Sequence, residues 1–151
     1  MIRSLLGFYS ITDYLKLSKA YAFSTGVNKK IYKIFLRKIG AARGLCIENF
    51  EKIGENLSLP HGINIIVNPE SIIGNNCTIF QGVTLGVIHE GRRKGCPHIE
   101  DNVTIGPNAV IVGGVTIGHH SIIAGNSFIN FDVPPYSKVI GNPGSIHNIN
   151  K

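Results

Sequence analysis

From Ile99 to Val133 the chain reads IEDNVTIGPNAVIVGGVTIGHHSIIAGNSFINFDV, and an isoleucine returns every six residues at Ile99, Ile105, Ile111, Ile117, Ile123 and Ile129. Four positions after each stands a small or β-branched residue: Val103, Ala109, Val115, Ser121, Ser127 and Val133. An amphipathic helix repeats its apolar residues every three or four positions and a half-buried strand every two, so a period of six fits neither. It fits a short strand, a sharp turn and a new strand at a fixed angle. Three such hexads close a triangular coil of about 18 residues, and successive coils stack as a parallel β-helix whose isoleucines form interior ladders. Asn102, Asn108 and Asn126 fall where a tight corner needs positive φ or a side-chain-bonded turn, and Gly106 and Gly118 follow directly on isoleucines.

Working outward, the same phase begins at Ile47 with Ile53, Leu59 and Ile65, slips by two residues, and resumes at Ile73, Ile79 and Leu85. Glu51 occupies a position that should be small, which predicts an irregular first coil. Residues 86–98 break the pattern with the polar, turn-prone run Gly91-Arg92-Arg93-Lys94-Gly95-Cys96-Pro97, an extended loop thrown out from a coil. About four coils remain, a column of roughly 20 Å at the ~4.8 Å strand spacing. Val133-Pro134-Pro135 ends the repeat, because proline cannot keep donating to a ladder. Residues 136–151, with the Gly141-Asn142-Pro143-Gly144 turn, are expected to fold back as a cap. The expected organisation is a helical segment over 1–44, the β-helix over 45–135 with its loop at 86–98, and the tail.

The N-terminal segment differs in chemistry from the rest. Residues 1–44 carry nine Lys or Arg against Asp13 alone, whereas residues 45–151 carry six against eight Asp or Glu. Ser10 and Asp13 form a capping-box pattern before a first helix that runs to about Phe23. Asn28 is the expected cap of a second helix, with Ile31, Ile34, Phe35 and Ile39 on one face, Lys29, Lys33 and Arg37 opposite, and Gly40 as its stop. That apolar face is expected to pack on the β-helix or on another subunit, or to lie on an anionic membrane surface.

Eighteen glycines, one methionine and no tryptophan in 151 residues suit a turn-rich β-structure rather than a helical bundle. No apolar run is long enough to cross a bilayer, and Asp13, Lys16 and Lys19 interrupt any signal-peptide pattern. Cys46, Cys77 and Cys96 have neither metal-like nor disulfide-like spacing, in keeping with a reducing compartment. The expected location is the cytoplasm, with the basic helix as a means of peripheral contact at the inner membrane face. No nucleic-acid recognition module is present.

Five strings carry a family resemblance: Leu59-Pro60-His61-Gly62-Ile63-Asn64-Ile65-Ile66-Val67, Gln81-Gly82-Val83-Thr84-Leu85-Gly86, Ile105-Gly106-Pro107-Asn108-Ala109, Val133-Pro134-Pro135 and Gly141-Asn142-Pro143. In their order and spacing, from about Cys46 to Ser145, they resemble the serine acetyltransferase branch of the hexapeptide-repeat acyltransferases. The resemblance implies an all-β fold, a left-handed parallel β-helix with a short α-helical N-terminus and an extended loop. It implies acetyl-CoA as co-substrate, no metal, and a homotrimer with sites between subunits. It makes His61 the general base, a role that suits a neutral imidazole near pH 7 and contributes about 10²–10⁴ in rate. Backbone amides at Gly86, Gly106, Ala124 and Gly125 are implied along the pantetheine arm, the one near Gly86 also at the thioester oxyanion. Arg92, Arg93, Lys94 and Lys138 are the candidates for the phosphates.

The departures bear on the acceptor. Cys46 stands where the branch has the aspartate that orients the base, and a thiol is a poor acceptor; Glu48, Glu70 or a backbone carbonyl is the expected substitute. Pro60 replaces an aspartate associated with the amino acid, and Cys96, with His98 two residues on, replaces a second active-site histidine. Glu70, Cys96 and His98 are therefore the candidate acceptor-binding residues. Three lost polar partners favour a different acceptor from free serine, and the strings look more like the acetyltransferases of surface-polysaccharide loci. The expected activity is His-assisted O-acetylation of a sugar or polysaccharide precursor; the alternatives are L-serine as acceptor in cysteine biosynthesis and a non-catalytic trimeric scaffold. A zinc hydratase on the same fold would need His98, His119 and His120 at one metal, and adjacent histidines are expected to point apart.

Overall fold

A computed structural model describes residues 10–148. Two helices, α1 (Ile11–Ala22) and α2 (Gly26–Arg43), precede thirteen short strands. These are β1 (Cys46–Ile47), β2 (Ile66–Val67), β3 (Ile72–Ile73), β4 (Thr78–Ile79), β5 (Thr84–Gly86), β6 (His98–Ile99), β7 (Thr104–Ile105), β8 (Val110–Val112), β9 (Thr116–Ile117), β10 (Ile122–Ile123), β11 (Phe128–Ile129), β12 (Ser137–Ile140) and β13 (Ser145–Asn148).

The strands form three faces of a triangular prism. The first face is β1-β2-β5-β8-β11, the second β3-β6-β9, and the third β4-β7-β10-β12 with β13 added at its end. All pairs are parallel except β12 with β13, which closes the last coil as an antiparallel hairpin. The core is the ladder of interior side chains: Ile73, Ile79, Leu85, Ile99, Ile105, Ile111, Ile117, Ile123 and Ile129 are all essentially inaccessible. Asn102, Asn108 and Asn126 take the left-handed corner conformation with φ of 59°, 56° and 58°. Gly106 is needed for coil stacking rather than for its φ, since a Cβ there would lie 2.7 Å from the Gly125 nitrogen.

The ladder departs from its regular spacing of 18 at three places, the last being the final coil, where Ile117 pairs with Val133 and Ile123 with Val139 at a spacing of 16. Leu85 and Ile111 are register partners 26 positions apart, so the loop adds eight residues to one coil. Ile47 pairs with Val67, 20 positions on. The two-residue slip therefore lies between Leu59 and Val67, earlier than the periodicity placed it. Ile65 takes the position two before the inward strand residue, where the regular coils have Val83 or Ala109, and it is fully buried. The first coil is irregular as expected, with a 3-10 turn at Phe50–Lys52.

The helices cover the open end of the column. The Ser10–Asp13 capping box forms, with the Asp13 amide donating to Ser10 Oγ at 3.1 Å and the Ser10 amide to Asp13 Oδ2 at 2.9 Å. Tyr14 and Tyr21 meet Phe50 edge-on, ring centroids 5.8 and 6.0 Å apart. Helix α2 differs from expectation in both ends and in its buried face. Thr25 rather than Asn28 precedes its first turn, and it runs past Gly40 to end at Gly44, whose φ of 66° provides the left-handed cap. Its buried residues are Leu36, Ile39 and Gly40, while Ile31, Ile34 and Phe35 point away from the protein. Among the described residues, no helix is long and apolar enough to cross a membrane.

Candidate active site

His61 stands on the corner where the third face turns into the first, at the two-residue insertion of the first coil. Three contacts hold that corner. Gly62, φ 48°, is buried beneath Ile11 of α1, where any Cβ would collide with the isoleucine side chain. The Asn64 amide donates to the Arg43 carbonyl at 2.8 Å, tying the corner to the end of α2, and the Gly82 amide donates to the Ile63 carbonyl at 3.1 Å. His61 itself is exposed, its ring 6.2 Å from that of Phe80 in the next coil.

The same edge carries the small residues of the donor group. The Gly106 amide donates to the Ile123 carbonyl and the Ala124 amide to the Val139 carbonyl, both at 2.8 Å. The ladder therefore already uses both of these amides. The exposed Gly125 donates to no backbone carbonyl among the described residues. Gly86 lies at the far side of the first face, where a Cβ would press on Val112 at 3.1 Å. Lys138 is exposed on the third face, next to the edge. Gln81, between Phe80 and Gly82 on this edge, has a buried Oε1 with no partner among the described residues; buried acceptors are normally satisfied.

The acceptor-binding candidates sit elsewhere. Cys96 and Glu70 meet where the first face turns into the second. The Cys96 thiol donates to Asn68 Oδ1 at 3.2 Å, the Glu70 amide donates to the same oxygen at 2.9 Å, and the Glu70 carboxylate accepts from Lys52 at 2.6 Å. Burial, and then the neighbouring Glu70 charge, push the Cys96 thiol above its ordinary range. His98 lies beyond them, exposed on the second face. Glu70 is therefore paired with Lys52, and Glu48 with Arg37 at 3.6 Å, so neither carboxylate orients His61 within one chain.

The loop is docked rather than thrown free. Ile88 and Gly95 bridge as an antiparallel pair, and the Gly114 amide donates to the Arg93 carbonyl at 2.8 Å. Gly113 and Gly114 admit this approach because a Cβ on either would lie 2.7 Å from a loop carbonyl. Arg93 binds Asp132 at 2.7 Å, while Asp132 also accepts from the Thr116 amide at 2.9 Å. Arg93, a phosphate candidate by sequence, thus anchors the loop through a half-exposed pair. The Thr116 amide first, then Arg93, hold the Asp132 carboxyl below the usual carboxylate range.

The histidine cluster also differs from expectation. His119 and His120 do not point apart: their Nδ1 atoms are 3.0 Å from each other, His120 stacks on Tyr136, and the His119 amide donates to Glu100 at 2.8 Å. Among the described residues no group of three or more side chains is arranged to hold a metal ion. The partners that sequence reasoning missed (Phe80, Asn68, Lys52 and Asp132) are residues distant in the chain that coil stacking brings together.

A family model described as "Bacterial transferase hexapeptide (six repeats)" matches residues 96–130, the stretch whose corners and ladders have just been described. Residues 96–130 carry the repeat of the hexapeptide family. This hexapeptide-repeat chain is 41% identical over 103 residues to a serine acetyltransferase of Staphylococcus aureus, covering 68% of the chain and 48% of that relative. It is 38% identical over the same length to one from Bacillus licheniformis, with the same coverage. It spans about half the length of the relatives it matches. Among solved structures, it superimposes on a serine acetyltransferase in complex with CoA with a TM-score of 0.74 at 27% identity, covering 93% of this chain and 57% of the other. The Neisseria gonorrhoeae serine acetyltransferase in complex with serine gives 0.71 at 28% identity, covering 89% and 55%. These neighbours share the left-handed β-helix.

Proposed function

We propose that the chain is an acetyl-CoA-dependent O-acetyltransferase with His61 as general base. The observation that carries this reading is the single edge on which His61, Phe80, Gly106, Ala124 and Gly125 follow one another from coil to coil. Three coil spacings, about 14 Å, separate the first coil from the fourth. An extended thioester arm laid along that line meets small residues, with its reactive end beside an exposed imidazole. The neutral imidazole takes the proton from the acceptor hydroxyl as its oxygen attacks the thioester carbonyl; the C–S bond then breaks and the thiolate leaves with that proton. The exposed Gly125 amide is a donor for the arm, and Lys138 a cation beside it.

Glu70, Cys96 and His98 lie across the first face from His61. A site that uses both groups forms only where the edge of one chain meets the loop side of another, which supports a homo-oligomer, a trimer by analogy with the fold, with sites between subunits.

L-Serine is the first candidate acceptor, because the relatives that match are serine acetyltransferases. A sugar hydroxyl is the second reading, favoured by Cys46, Pro60 and Cys96, which offer no charge to an amino acid. The comparisons lend no support to the polysaccharide branch beyond these three residues. Thiol release from acetyl-CoA, measured with L-serine and with a panel of nucleotide- and lipid-linked sugars, decides between them. Turnover with serine supports the first reading, and turnover with a sugar alone replaces it with the second. Release with no acceptor at all removes the transferase reading.

A further inference from the structure

Helix α2 has two apolar stripes, and packing on the β-helix uses only one. Leu36, Ile39 and Gly40 face inward. Val27, Ile31, Ile34 and Phe35 recur at helical spacing on the outer side, and all four are exposed. A helix that packs on one domain needs a single apolar stripe, and contiguous exposed apolar surface on a soluble protein marks an interaction face.

The charges beside the patch indicate its occupant. Helix α2 contains no acidic residue and six basic ones. Lys29 is paired with Glu51 and Arg37 with Glu48, both on the β-helix side. Lys30, Lys33 and Lys38 are exposed and make no ion pair among the described residues. On a helical projection at 100° per residue, Lys30, Lys33 and Arg37 run along one border of the outer stripe and Lys38 lies within it. A second copy brought against this face would set lysines against lysines.

We propose that the outer face of α2 lies on an anionic lipid surface. The apolar stripe enters the headgroup region and the lysines meet lipid phosphates. This contact is independent of the acetyl-transfer assignment, and places the β-helix on the water side of the helix. The interaction is modest, since a few lysines at about 1 kcal/mol each and four apolar side chains give reversible peripheral binding.

The test is sedimentation of the full chain with phosphatidylcholine vesicles containing about 30% phosphatidylglycerol, an anionic surface, against phosphatidylcholine alone. Binding to the anionic vesicles should exceed binding to the neutral ones by about tenfold or more and fall with added salt. Ile31→Ser with Ile34→Ser, and separately Lys30→Glu with Lys38→Glu, should each weaken it by about tenfold while circular dichroism stays unchanged. Absence of binding to anionic vesicles, or undiminished binding by both variants, overturns the proposal. Concentration-dependent assembly in light scattering that Ile34→Ser abolishes would assign the face to a second copy. Vesicle binding that appears only after removal of residues 1–9 would assign it to the start of the chain.

Discussion

The coils between Ile99 and Val133 and the coil between Leu45 and Ser71 are built on the same plan and do different work. In the later coils the faces repeat at 18 residues as far as Ile129, the interior is isoleucine over isoleucine, and the corners are asparagine, glycine or, at His120, histidine. The early coil has a 3-10 turn, a two-residue insertion and helices packed on it. That insertion carries His61, and the second insertion, the eight-residue excursion after Leu85, leads to Cys96. Regular coils provide rigidity and a smooth edge of small side chains. Departures from the repeat push polar side chains out of the stack, and both clusters of candidate residues occur there.

The sharpest break of this comparison is His61→Ala. Acetyl transfer should fall by about 10²–10⁴ with the melting temperature unchanged, because the side chain is exposed and supports no part of the core. Next is regularisation of the second departure. Deleting residues 88–95 restores a spacing of 18 between Leu85 and Ile111, so the column should stay folded by circular dichroism while transfer drops by about 10² from lost positioning. On the stability side, Ile105→Ala in the regular stack should cost about 2–5 kcal/mol in urea unfolding. Ile63→Ala on the exposed corner should stay within about 0.5 kcal/mol.

The smallest effect is one of pH on the loop anchor. The Asp132 carboxyl is held below its ordinary range when folded, so its contribution is complete above its unfolded value and is lost as pH falls below about 4. The pair with Arg93 is half-exposed, so global stability should barely respond. Hydrogen exchange at residues 91–95 should rise below that pH, and Asp132→Asn should show the faster exchange already at pH 7.

The regular coils were legible because six isoleucines sample one register and any slip would turn all of them outward. The slip in the first coil was misplaced for a local reason: Ile65 and Val67 are both apolar and both buried, so either satisfies the phase. Helix α2 was misread because it carries two apolar stripes, and a single helix does not say which one its domain will take. His61 was found through its string, whereas the pairing of Arg93 with Asp132 and of Glu70 with Lys52 spans 39 and 18 residues. Those pairs depend on which coil stacks on which, and that follows from the lengths of the two insertions.

The most direct test of the claim that two irregular corners from different copies make one site is a mixing experiment. The His61→Ala chain and the chain lacking residues 88–95 are co-refolded in equal amounts and assayed by thiol release with whichever acceptor supports turnover by the wild-type chain. Each variant alone should be nearly inactive, and the mixture should regain about a quarter of wild-type turnover if the two chains assort randomly around a symmetric ring. A mixture no more active than its separate components would contradict the shared site.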